Sequence, residues 1–147
     1  MTQLPMDRAI PPTVLVVDDE RDYLDTMALL LQSSGYAVLT ATNGKAALQQ
    51  MRSHAVDVVL TDLAMPDYDG FRLLQAVRRQ RCDALVIAVS GWGGREAPVR
   101  CAKAGFDAFF VKPCNLRDLL WTISAGLMRV QRHVVVPPRV AAARTMR

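Results

Sequence analysis

Val58-Val59-Leu60-Thr61-Asp62-Leu63-Ala64-Met65-Pro66-Asp67-Tyr68-Asp69-Gly70 is an apolar run that stops at a carboxylate and then turns. With Val56 ahead of it, the run suits a strand buried on both faces, as in a parallel sheet. Pro66 has a fixed φ and no N–H, so the strand must end before it. Asp62 therefore falls at the carboxyl end of a central strand, the edge at which open α/β sheets bind ligands. A carboxylate there is costly to bury unpaired. A lone aspartate at this place serves as a helix cap or turn residue about as often as it serves a site. What the other strands end in decides between these readings.

On either side, the same pattern repeats. Thr13-Val14-Leu15-Val16-Val17 is a second apolar, β-branched run, and it ends in Asp18, Asp19 and Glu20. Leu24, Met27, Ala28 and Leu31 then recur at helical spacing up to Gly35. Tyr36 to Ala41 reads as a short strand, Asn43-Gly44 as a turn, and Ala46, Ala47, Leu48 and Met51 as a second helix. After Gly70, Phe71, Leu74 and Val77 mark a third helix, with Arg78, Arg79 and Arg81 expected on its solvent side and in the turn beyond. Ala84 to Val89 is a fourth strand, ending at Ser90-Gly91. Pro98 fits only a first helical turn, so a fourth helix starts around Glu96–Pro98 and runs to Gly105. Ala108-Phe109-Phe110-Val111 is a fifth strand, ending at Lys112-Pro113. Asn115 can cap a fifth helix whose apolar stripe runs from Leu116 to Val130, and Val134 to Pro138 breaks the pattern.

Strand–helix alternation of this kind predicts an α/β fold, a five-stranded parallel sheet with helices on both faces. Alternation leaves the strand order open. We expect residues 1–12 to be a loose leader, 13–132 the folded domain and 133–147 a basic tail.

The net charge of +4 belongs to the stretch beyond position 128, not to the body of the chain. Thirteen basic residues face fourteen acidic ones before position 128, a net −1, and Arg129, Arg132, Arg139, Arg144 and Arg147 add +5 beyond it. No apolar run approaches the ~18 residues of a membrane span. The first twelve residues resemble neither a signal nor a transit peptide, so a cytoplasmic protein without membrane association is expected. Cys82, Cys101 and Cys114 have no metal-type spacing and are read as reduced thiols, and neither His54 nor His133 as a ligand.

The strand ends carry compatible chemistry. Asp18, Asp19, Asp62, Ser90 and Lys112 all fall on one rim of the sheet. Three carboxylates there repel one another unless a cation sits among them, and oxygen ligands at an open site suit Mg²⁺. Lys112 adds a mobile point charge and Ser90 a small hydroxyl. A carboxylate nucleophile, a divalent metal, a lysine and a hydroxyl are the parts of phosphoryl transfer to an aspartate. Each residue alone has a plainer explanation; four strand ends with matching groups are much harder to obtain by chance.

The motifs Val16-Val17-Asp18-Asp19-Glu20, Asp62-Leu63-Ala64-Met65-Pro66 with Gly70, Val89-Ser90-Gly91 and Phe109-Phe110-Val111-Lys112-Pro113 together resemble the receiver domains of two-component response regulators. The resemblance covers roughly residues 13–130. Ala104 to Ala108 also looks like receivers that act in or beside hybrid histidine kinases. The resemblance implies a flavodoxin-like strand order, 2-1-3-4-5. It implies that Asp62 accepts a phosphoryl group from a histidine kinase or histidine phosphotransfer protein. Mg²⁺ would be held directly by Asp19, Asp62 and the backbone carbonyl of Ala64, and through water by Asp18. Lys112 and Ser90 would bind the phosphoryl oxygens, and Phe109 matches an aromatic switch that moves with Ser90. Signalling, or homodimer formation, is then expected through the fourth helix, fifth strand and fifth helix.

Three features set the chain apart. Ser90 is the smaller permitted hydroxyl, the loop after it is glycine-rich and carries Trp92, and no DNA-binding or enzymatic domain is expected after the fifth helix. Ala64 and Trp92 should overhang the phosphoryl group; Ala64 has no polar group to hold an attacking water and the indole only one donor, so slow dephosphorylation is expected.

Two rival readings are weaker. An Arg-rich tail binding nucleic acid or another acidic surface lacks an aromatic platform and is broken by Val and Pro. An aspartate phosphatase of the haloacid dehalogenase type needs an Asp-x-Asp pair, which Asp62-Leu63-Ala64 does not supply. A signalling module rather than an enzyme is expected.

Overall fold

A computed structural model of the chain describes residues 10–81, 83–91 and 94–135, with side chains through residue 130. The elements alternate as expected: β1 (Thr13–Val17), α1 (Arg21–Ser33), β2 (Ala37–Ala41), α2 (Gly44–Ser53), β3 (Val58–Thr61), α3 (Gly70–Gln80), β4 (Leu85–Ser90), α4 (Ala97–Ala104), β5 (Ala108–Val111) and α5 (Leu116–Val135). Every strand pairing is parallel, and the order is β2-β1-β3-β4-β5.

The period-two alternation of each central strand divides the core into two layers. Leu15, Val17, Val59, Val86 and Ala88 face Leu48 and Met51 of α2, Leu73 and Val77 of α3, and Cys101 of α4. Val16, Val58, Leu60, Ile87 and Val89 face Leu24, Met27 and Leu31 of α1 and Leu119, Ile123 and Leu127 of α5. β3 is buried along its whole length, which is why its sequence reads as a continuous apolar run. Burial of each large side chain contributes about 1.5–3 kcal/mol, so Leu60→Ala in this packed layer should cost about 2–5 kcal/mol.

The pairing register sets the site. Val17 is opposite Thr61, Thr61 opposite Ala88, and Ser90 opposite Val111. Asp18 and Asp62 thus leave adjacent strands side by side, Ser90 ends the next strand, β4, and Lys112 follows β5, one strand beyond that.

Three local features differ from the sequence reading. Asn43 is a helix cap rather than a turn residue: its Oδ1 accepts the Ala46 N–H at 2.8 Å, and Gly44 already lies inside α2. Arg78 is half-buried rather than simply on the solvent side. Its guanidinium reaches under the sheet to donate to the carbonyls of Ala84 and Gly105 and to Asp107. And α5 runs through Val135, past residue 132, so the valines taken as a break continue the helix at first. Among the described residues no helix is long and apolar enough to cross a membrane. Cys101 is buried and Cys114 half-buried, both free thiols. Cys82, the leader before Ile10 and the tail from residue 136 lie outside the described residues.

Candidate functional site

Asp62 is held by its own loop. Its N–H donates to the Val17 carbonyl at 3.1 Å, and the Thr61 hydroxyl donates to its carbonyl at 2.9 Å. The loop after it folds back tightly: the Gly70 N–H meets the Leu63 carbonyl at 2.9 Å, and any Cβ at Gly70 would collide with the Asp62 carbonyl oxygen. Only glycine permits this approach. Within the loop Asp67 takes a left-handed conformation (φ 69°), which aspartate tolerates better than most residues. The result presents the Asp62 carboxylate at the rim, with Oδ1 accepting the Ala64 N–H at 3.3 Å.

Asp18 and Asp19 follow β1 but differ in setting. Asp18 is 1% exposed, and both of its oxygens are engaged: Oδ1 accepts the Glu20 N–H at 2.9 Å, and Oδ2 receives the Lys112 ammonium. Asp19 is exposed. One carboxylate oxygen from each of Asp18, Asp19 and Asp62 lies within 4.8 Å of the others, a cluster with the hard oxygen donors that a divalent cation takes.

Lys112 is placed by β5, its N–H donating to the Ser90 carbonyl at 2.9 Å, and its peptide bond to Pro113 is cis. Its Nζ bridges Asp18 and Asp62, 3.4 Å from the latter, and sits 4.1 Å above the centre of the Tyr23 ring. Burial pulls the lysine's pKa down, but hydrogen bonds and charge from Asp18 and Asp62 outweigh it and the net shift is upward, so the group is a firm cation. Ser90 ends β4, 1% exposed. Phe109 is half-buried and packs on the α2–α3–α4 side of the sheet. Ala64 is exposed at the mouth of a cleft of about 530 Å³, lined also by Leu63, Phe71, Arg95 and Arg100.

The structure thus brings Asp18, Asp19, Asp62, Ser90, Lys112 and Ala64 to one rim, as their strand-end positions predict. Trp92 lies outside the described residues, so its relation to the rim is untouched. The sequence reading missed Tyr23. It lies in the first turn and a half of α1, where an aromatic at an amphipathic helix position reads as ordinary packing, and nothing in its spacing shows that its ring lies under Lys112.

Comparison with known proteins places this arrangement. The family model described as the response regulator receiver domain matches residues 14–124. The chain is 35% identical over 119 residues to the sensor histidine kinase RcsC of Salmonella typhi, covering 81% of this chain and 13% of that protein. It is 28% identical over 120 residues to the response regulator SaeR of Staphylococcus aureus, covering 82% of this chain and 52% of that one. The chain therefore spans about half, or far less, of the length of these relatives. Among solved structures, a CheY-like receiver domain protein from Methanospirillum hungatei superposes with a TM-score of 0.78 at 31% identity, covering 84% of this chain and 98% of that one. A receiver domain from Clostridium thermocellum gives a TM-score of 0.75 at 29% identity, covering 82% and 97%. The matched span of residues 14–124 contains Asp18, Asp19, Asp62, Ser90 and Lys112. The chain belongs to the response regulator receiver domain family of two-component systems.

Proposed function

We propose that this receiver takes a phosphoryl group from the phosphohistidine of a histidine kinase or histidine phosphotransfer protein onto Asp62, with Mg²⁺, and passes the signal on through α4, β5 and α5. The observation that carries the reading is the convergence of three carboxylates within 4.8 Å, with the Lys112 ammonium reaching Asp62. A carboxylate oxygen of Asp62 attacks phosphorus as the phosphorus–nitrogen bond to the donor imidazole breaks. The bond electrons leave with the imidazole, and an aspartyl phosphate remains. Lys112 offsets charge on the phosphoryl oxygens and Ser90 donates its hydroxyl to them. Bound Mg²⁺ would neutralise the crowded acids and the incoming phosphoryl group.

The donor set fits that ion. Asp18 already uses both oxygens on Glu20 and Lys112, which supports an outer, water-mediated role for it. Asp19 is exposed and Asp62 stands beside it, which supports direct ligation by these two together with the Ala64 carbonyl. Movement of Ser90 toward the phosphate would free space for the Phe109 ring and change the outer surface. Val99 on α4, Val111 on β5 and Trp121 on α5 are exposed apolar side chains there, suited to a partner or a homodimer. We read the chain as a signalling module acting in the cytoplasm, not a turnover enzyme.

Incubation with Mg²⁺ and acetyl phosphate should add one phosphoryl group, and Asp62→Asn should abolish the addition. Modification that survives Asp62→Asn would show a different nucleophile. Profiling transfer from the host's histidine kinases would then identify the donor, and sedimentation of the phosphorylated protein would test dimer formation.

A further inference from the structure

The Lys112 ammonium has two anionic partners and one aromatic one. Asp18 and Asp62 take it from one side, and the face of Tyr23 lies 4.1 Å away on another. It hydrogen-bonds Asp18, while Asp62, at 3.4 Å, is where a phosphoryl group would arrive. A lysine stem has four rotatable bonds, so charge alone does not hold the ammonium at one point between two acids. A ring face attracts a cation through its quadrupole and limits where the ammonium can move. Beyond packing against the α1–α5 layer, this ring contact is the interaction seen for the Tyr23 side chain among the described residues. The phenol's pKa is raised, first by burial and then by the charges of Cys114, Asp18 and Asp62, so near neutral pH the ring faces Lys112 as a neutral phenol.

We propose that Tyr23 is a positioning residue whose ring face holds the Lys112 ammonium over the Asp18–Asp62 pair, ready for the phosphoryl group, an inference that rests on Asp62 being the acceptor. The ring, not the hydroxyl, does this, so phenylalanine should replace tyrosine and an aliphatic residue should not.

The test uses the full chain, Mg²⁺ and acetyl phosphate, with the initial rate of aspartyl phosphate formation as the first readout. Tyr23→Leu should slow it about three- to tenfold, and Tyr23→Phe should restore it. In a Lys112→Ala background Tyr23→Leu should have no further effect, whereas a residue that only supports the fold would slow both backgrounds alike. A second readout needs neither metal nor donor: the Lys112 ε-methylene protons should be shifted upfield by the ring in wild type and Tyr23→Phe, and released in Tyr23→Leu. Should Tyr23→Leu fail to fold, Tyr23→Met serves as the aliphatic variant. Wild-type rates in the aliphatic variants, or equal slowing with and without Lys112, overturn the proposal. If wild type forms no aspartyl phosphate while the methylene shift persists, the acceptor reading has failed, and the positioning role falls with it although the contact stands.

Discussion

The two rims of the sheet hold the same kinds of residue and finish them differently. At the amino rim, the Arg78 guanidinium donates to the carbonyls of Ala84 and Gly105 and, at 2.9 Å, to Asp107, whose same oxygen accepts the Val86 N–H at 2.8 Å. Asp57 there accepts the Thr13 N–H at 2.9 Å, while its own backbone bonds to Thr13 and Leu85. These charges meet fixed backbone groups and pin the starts of β1, β3, β4 and β5. At the carboxyl rim three carboxylates crowd together with one lysine ammonium, which pairs with Asp18 and Asp62 and leaves Asp19 exposed. A rim whose charges are answered by the chain itself is a staple. A rim left with excess negative charge favours a cation and a phosphoryl group.

The largest effect should come from cutting the staple. Arg78→Ala leaves two carbonyls and a carboxylate without their guanidinium donor and should destabilise the fold by about 2–3 kcal/mol, read from the urea midpoint. The rate of phosphoryl uptake by the folded fraction should not change. An unchanged midpoint would remove the distinction between the rims.

The carboxyl rim should then divide within itself. Asp18→Ala removes the partner of a half-buried lysine and of the Glu20 N–H, and should cost about 1–3 kcal/mol. Asp19→Ala removes only repulsion and should raise the melting temperature of the metal-free protein slightly. Mg²⁺ affinity should fall in the opposite order, more for Asp19→Ala than for Asp18→Ala. Simple repulsion among the three acids predicts that both substitutions stabilise the metal-free protein, so calorimetry of the two variants separates the schemes.

The carboxyl rim was legible in the sequence because fully buried strands have sharp ends: Val17 and Leu60 are followed within two residues by aspartates that cannot continue an apolar run. The amino rim was not. Arg78, Arg79 and Arg81 are equivalent in composition, and only packing shows that the first turns under the sheet while Arg81 pairs with Asp83. Asn43-Gly44 suits a turn and a helix cap equally, and the Ala46 N–H decides it. Tyr23 was unreadable because a cation–π contact between residues far apart in sequence leaves no periodicity.

A smaller effect concerns how long the carboxyl rim keeps its phosphoryl group. Ala64 donates its backbone N–H to Asp62 but offers no side-chain group to hold a water in line for hydrolysis. Ala64→Asn should speed loss of phosphate a few-fold to roughly tenfold, on the order of 1 kcal/mol of barrier. Equal decay of the two proteins would remove Ala64 from control of water access. The companion substitution Trp92→Glu asks the same of a side chain whose placement the structure leaves undescribed.

The smallest effect compares one tyrosine at each rim. Tyr36 precedes β2 at the amino rim and Tyr23 lies under Lys112 at the carboxyl rim, and both phenols have pKa values raised above the ordinary 10.0. Burial alone acts on Tyr36, whereas at Tyr23 burial comes first and the charges of Cys114, Asp18 and Asp62 add to it. With the folded value above the unfolded one, each phenol keeps its proton in the fold at a pH where the unfolded chain gives it up. Their contribution to stability is therefore whole below pH 10.0 and is lost as pH rises through the folded values. Asp62→Asn removes one negative charge near Tyr23 and none near Tyr36. In residue-resolved NMR titrations Tyr23 should ionise at lower pH in that variant, and Tyr36 should not move. Equal shifts at both residues would mean that the excess charge acts across the whole molecule, and the contrast between a finished and an unfinished rim would lose its electrostatic basis.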